Sequence, residues 1–248
     1  MARYIYAHWL KTKNTPLRLI CGILTVLYAL ILFFYFYTHQ RLALTAFTEY
    51  RIFFLFLTIC TLFTLSVVIP LLLTPDRAAG IFANELRIGI SRTKLFISRF
   101  LLILLLVAGV QCLSVFIFTI LEAVFLGHII TISLLLLFMG TSFLFLLPMI
   151  SFYQWLALRF HYSGTLLAGI FFTLTSILLG TTGLGTFIWL FLPWVWPIRL
   201  IYYEISPSFD VISDYGFLGF LSFLLTIVLM AIVVFWYNSW EGKTSLED

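Results

Sequence analysis

The run Phe100–Leu121, FLLILLLVAGVQCLSVFIFTIL, decides what kind of chain this is. It carries no charge, and Gln111 is its most polar side chain. A helix rises about 1.5 Å per residue, so about 20 apolar residues cross a hydrocarbon core about 30 Å thick. This run meets that demand alone. So do Leu19–Tyr37, Ile52–Leu73, Ile130–Ser151, Thr165–Leu192 and Phe217–Tyr237. Apolar residues make up 63% of the 248 and charged residues 10%, against about 25% charged in soluble domains. So few charges cannot cover a water-facing surface, whereas a lipid-facing one needs none. The chain is therefore expected to be an all-α integral membrane protein, a single domain over residues 1–248 with six transmembrane helices.

Lysine and arginine set the expected orientation. One set of span ends carries Arg3, Lys11, Lys13, Arg18, Arg77, Arg87, Arg92, Lys94, Arg99, Arg159 and Lys243; the other carries only Arg41, Arg51 and Arg199. By the positive-inside rule the first set faces the cytoplasm, with both termini. The net charge of +4 then reports topology and anionic headgroups, not nucleic acid. The first span has no small-residue cleavage site after it and is expected to remain in place. Cys21, Cys60 and Cys112 fall inside apolar runs and are expected to act as small buried hydrophobes.

Two stretches differ from plain spans. Residues 3–13 mix basic and aromatic side chains, with Ile5 and Trp9 on one helical face, which suits a short helix in the inner headgroup layer. Residues 191–207 hold Pro193, Trp194, Trp196, Pro197, Tyr202 and Tyr203, which suits a re-entrant or surface segment at the outer face.

Enzyme chemistry finds no footing. Gly242-Lys243-Thr244 ends like a phosphate-binding loop, but its leading glycine would fall at Tyr237 and no strand precedes it. Gly180-Thr-Thr-Gly183-Leu-Gly185 lies within an apolar span, where small residues serve close packing or flexibility. His161-Tyr-Ser163-Gly lacks the leading glycine of an intramembrane serine protease motif. His8, His39, His128 and His161 lie near different span ends with no zinc-ligand spacing, so no metal site is expected. No ionisable residue sits deep in a span; Glu122 lies near the outer edge of the third. The absence weighs against a proton- or sodium-coupled carrier and fits a transporter whose energy arrives from elsewhere. Gln111 is expected to bond across helices.

The cytoplasmic segment between the second and third spans is the most informative. Over residues 76–90, Ile81, Phe82, Leu86 and Ile90 share one flank while Asp76, Arg77, Glu85 and Arg87 stay polar. Gly89 ends that helix, and Ser91-Arg92-Thr-Lys94-Leu95-Phe96 leads into the third span. A helix lying flat between two spans can push on both.

A six-span chain with an acidic residue, a glycine and a Ser-Arg-x-x-Leu-Phe run before its third span resembles an ABC-2 type transporter permease, type V exporter-like in layout. It is most similar to the lantibiotic-immunity permeases of the MutE/EpiE and MutG group. The likeness covers the whole chain in layout and residues 76–99 in motif detail. Relatives usually have glutamate where this chain has Asp76, and many carry a glutamate near the basic N-terminal segment, where this chain has Ala7 and His8.

The resemblance implies a multi-pass subunit of a bacterial cell membrane, with no catalytic residue or cofactor of its own. It would pair with a second permease, with a non-identical one favoured, and dock onto a dimer of ABC ATPase subunits that hold ATP and Mg. Its cargo would be an amphipathic antimicrobial peptide expelled to the exterior, giving self-immunity. Asp76, Arg77, Glu85, Leu86 and Arg87 would then contact the ATPase. Arg92, Lys94 and Arg99 would anchor at headgroups, though topology alone explains them equally. Trp194, Trp196 and Glu204 are candidates for peptide contact, with an aromatic belt as the alternative. Another cargo (lipid, drug or other peptide) and a non-transporting membrane scaffold are the competing readings.

Overall fold

The computed structural model describes residues 2–13, 17–39, 44–78, 91–205 and 214–239. Among them the chain is predominantly helical, with no strand. The helices are α1 (Ala2–Lys11), α2 (Leu17–Thr38), α3 (Ala46–Ala78), α4 (Arg92–Leu121), α5 (Ile132–Leu144), α6 (Leu147–Thr181), α7 (Trp196–Arg199) and α8 (Asp214–Ser239). A π-turn, Glu122–Leu126, continues α4. Five stretches are long and apolar enough to cross a membrane, which marks the chain as a helical membrane protein.

The fourth of these stretches, Ile132–Thr181, is not one rod. His161 takes φ 60° and ψ −166°, outside any helical region. A straight helix would hold Phe152 and Phe172 about 30 Å apart, yet their rings meet at 5.6 Å. Residues 147–160 and 162–181 are therefore two antiparallel arms. The remaining polypeptide follows the same rule of reversal. α3 packs along α6, α2 along α4, and α8 against α6 and α4, while α1 lies across the start of α4.

Two apolar cores hold the bundle. One lies toward the lysine- and arginine-rich end, around Leu62, Ile69, Phe96, Phe100, Tyr153 and Tyr237. The other lies toward the opposite end and is aromatic: Phe53 stacks on Phe118 at 4.1 Å and Phe54 on Phe138 at 5.2 Å. Both prefer geometries that add to simple burial. Where α3 meets the second arm of α6, the helices approach to backbone contact. A Cβ on Gly169 would fall 2.0 Å from Ser66 Oγ.

The boundaries differ from the expected ones in three places. α4 begins at Arg92, about two turns before Phe100, because Leu95, Phe96 and Ser98 are already buried there. The span expected over 130–151 is interrupted at Phe145–Leu146 and its helix then continues to Phe160. The helix expected over 165–192 ends at Thr181; short 3-10 turns at Gly183–Gly185 and Trp189–Phe191 follow. Gly180 and Gly185 serve close packing, against Ile198 and the Leu179 carbonyl.

Cys60 and Cys112 are exposed on the bundle's outer surface and Cys21 is half-buried, which corrects the expectation of buried thiols. A membrane helix is apolar all round, so sequence does not separate its inner face from its lipid face.

Candidate functional site

Asp76 sits at the end of α3, its side chain 5% exposed. Its Oδ1 accepts from Lys11 Nζ of α1 at 2.5 Å, and its Oδ2 from Arg99 Nη2 of α4 at 2.8 Å. Arg99 Nη1 also donates to the Tyr237 hydroxyl of α8 at 3.4 Å. One carboxylate thus joins α1 and α4 to α3, and through Arg99 reaches α8. Sequence pattern explains the geometry. Asp76 lies one turn beyond Leu72 and Leu73 on the buried side of α3, and Arg99 lies one turn beyond Leu95 and Phe96. Both charges are carried inward with the apolar stripe, and each needs the other there.

α1 is held by more than Lys11. His8 is buried and lines a small cavity with Arg99, Phe96 and Gln154. Burial pushes its imidazole down to about 4, helped by the positive charges of Arg99 and Lys11 and opposed by Asp76. The Arg18 guanidinium lies 3.6 Å over the Trp9 ring and donates to the Trp9 carbonyl; its Nε donates to Thr12 Oγ1 at 2.8 Å. At the same end Arg92 Nη1 donates to the Asn238 carbonyl at 2.8 Å, tying α4 to the end of α8.

The docking of α1 is expected to depend on pH. An unfolded histidine takes up its proton near pH 6.5 and His8 in place near pH 4, so between those values the undocked state binds more protons. Stability is full above pH 6.5 and falls as pH drops toward 4. Thermal midpoints measured from pH 7 to pH 4 should therefore fall more steeply for the wild type than for His8→Gln.

The sequence-predicted residues divide as follows. Arg77 lies in the last turn of α3, and Glu85, Leu86 and Arg87 lie outside the described residues. Asp76 is buried in ion pairs instead of presenting its carboxylate outward to an ATPase, which corrects that expectation. Arg99, expected at headgroups, is 6% exposed for the same reason. Lys94 is exposed, and Arg92 is half-buried against α8. Trp196 is 3% exposed, edge-on to Phe145, with Nε1 donating to the Leu190 carbonyl at 3.1 Å, so it is not available to a peptide. Trp194 is half-buried, and its Nε1 donates to Thr175 Oγ1 at 3.2 Å. Glu204 lies in the π-turn Leu200–Glu204 that follows α7. Gln111 does bond across helices, with Nε2 donating to Ser142 Oγ of α5 at 3.1 Å.

A cleft of about 650 Å³ opens between α1, α2 and α4. Its walls are apolar (Ile5, Leu17, Leu102, Leu106, Leu113), and Trp9 and Arg18 stand among them.

The opposite end holds a second polar centre that sequence spacing does not reveal. Glu49 from the first turn of α3, Glu122 from the π-turn and His128 just beyond it bring their ligand atoms within 4.8 Å of one another. No protein-family model, curated protein or solved structure matches this chain.

Proposed function

We propose that the chain is the membrane-spanning permease subunit of an ATP-driven exporter, with six spans and both ends in the cytoplasm. α5 together with the first arm of α6 would form the fourth span and the second arm the fifth. The resemblance of residues 76–99 to ABC-2 permeases supplies the family. The observation that carries the mechanism is the Asp76 junction. Residues 79–90 are bracketed by α3 and α4, and the ends of those helices are clamped to each other and to α1 by buried ion pairs. A push on the bracketed segment would reach four helices at once, because a packed, ion-paired junction transmits displacement.

In this reading separate ATPase subunits bind ATP and Mg, and this chain binds neither. Their closure would drive the amphipathic segment through Glu85, Leu86 and Arg87. The cargo is an amphipathic antimicrobial peptide moved from the membrane to the exterior, and a second, non-identical permease completes the pathway. The 650 Å³ cleft favours a second reading in which the cargo is a lipid, since apolar walls beside Arg18 suit an acyl chain under an anionic headgroup.

Reversing charge at Glu85→Lys is expected to leave insertion and abundance unchanged and to abolish resistance to the peptide. Membrane fractionation and a growth-inhibition assay together check this. Normal resistance in that variant would remove the assigned ATPase contact.

A further inference from the structure

The polar centre at the ends of α3 and α4 is assembled by local folding. Glu122 opens the π-turn, whose wider ring redirects the chain, and Gly127 ends it at φ 68°. That left-handed step returns the backbone so that the His128 N–H donates to the Glu122 carbonyl at 3.3 Å. The imidazole is thereby laid over both acids. His128 Nδ1 is 2.5 Å from Glu49 Oε2 and 3.8 Å from Glu122 Oε2.

Burial makes this arrangement costly as it stands. Glu49 is 4% exposed and Glu122 wholly buried. Neither Glu122 oxygen accepts a hydrogen bond from the described protein. A carboxylate taken out of water without a donor or counter-charge is strongly destabilising, and a second carboxylate beside it adds repulsion. The hydrogen bond from His128 serves Glu49, and Glu122 is left with the longer 3.8 Å approach to the same ring and with the neighbouring Glu49 carboxyl. Tyr50, which also lies beside both acids, does not supply Glu122 with a hydrogen bond.

We propose that Glu49, Glu122 and His128 form a binding site for a zinc-like divalent cation, which fastens the start of α3 to the end of α4. The donor set selects the metal. Calcium requires six to eight oxygens and magnesium a near-ideal octahedron of them, which two carboxylates and an imidazole do not supply. Two carboxylate oxygens and one imidazole nitrogen suit zinc, which accepts both donor types and three protein ligands with a fourth position open. The His128 side chain is 33% exposed and gives the metal a way in. His128 would bind through neutral Nδ1, giving up its hydrogen bond to Glu49 as the cation takes over both acids. The site stands apart from the Asp76 junction and does not depend on the transport reading.

The test uses the full chain in detergent micelles, stripped with a chelator and equilibrated with zinc chloride, with bound metal measured by mass spectrometry. About one zinc per chain is expected, with a thermal midpoint raised by zinc. His128→Ala changes a partly exposed turn residue and should fold. It should weaken zinc binding about tenfold or more and abolish the zinc-dependent shift. Glu122→Gln should do the same while raising the midpoint of the metal-free protein. Zinc binding that is equal in wild type and His128→Ala would overturn the assignment. So would the absence of binding in a wild type whose midpoint rises with Glu122→Gln, since a shared proton would then satisfy the acids.

Discussion

Asp76→Ala is expected to lower stability by about 3–5 kcal/mol, because it breaks a buried ion pair by removing the carboxylate that both Arg99 and Lys11 engage. Lys11, whose side chain is 39% exposed, can turn to water and contributes less. The effect on export should exceed the effect on folding, and a second substitution separates them. Asp76→Leu combined with Arg99→Met replaces the ion pair by apolar bulk and should recover most of the lost stability. It should not recover peptide resistance, since α1, α3 and α4 would no longer be bound through a single group. Thermal unfolding in micelles and a resistance assay on the same variants give both readouts. Full resistance in the apolar double variant would show that the ion pairs are structural only.

Gly169→Leu is expected to prevent the second arm of α6 from seating on α3. A Cβ at that position meets Ser66 Oγ at 2.0 Å and Ser66 Cβ at 2.2 Å, and both atoms belong to a rigid helix face. Overpacking of a tight interface costs about 1–3 kcal/mol for a modest insertion, and a leucine here exceeds that range. Gly169→Ala is the graded version, and it should be partly rescued by Ser66→Gly, which removes both offending atoms. Loss of monodisperse elution for Gly169→Leu, with recovery in the alanine–glycine pair, is the expected pattern. An unperturbed Gly169→Leu would mean that the two helices do not touch there.

How much of this was legible in the sequence depended on whether the cause was local. Apolar runs such as Phe100–Leu121 announce themselves, because the bilayer demands them of each helix separately. The reversal at His161 was legible too, since Arg159 stands between two apolar runs. The extension of α4 to Arg92 was not, because Arg99 reads as the polar end of a span until its partner is known. That partner, Asp76, lies 23 residues away in the sequence, on another helix. The same holds more strongly for His128 and Glu49, 79 residues apart and joined only by helix packing. Glu122 reads as an edge residue, and nothing nearby in sequence explains why it is wholly buried. Trp196 misled for the opposite reason. An aromatic cluster with prolines reads as an interface belt, whereas α7 turns its indole into the second core.

The claim on which the functional account depends is that residues 79–90 meet a nucleotide-driven subunit on the cytoplasmic side. Glu85→Cys, in a chain whose Cys21, Cys60 and Cys112 are replaced by alanine, tests it through a short thiol-to-amine cross-linker added to isolated membranes from the native host. The account predicts one cross-linked product containing an ATPase subunit, with its yield changed by ATP and Mg. Labelling of that cysteine by an impermeant reagent from outside intact cells, with no cross-link to an ATPase, would contradict it.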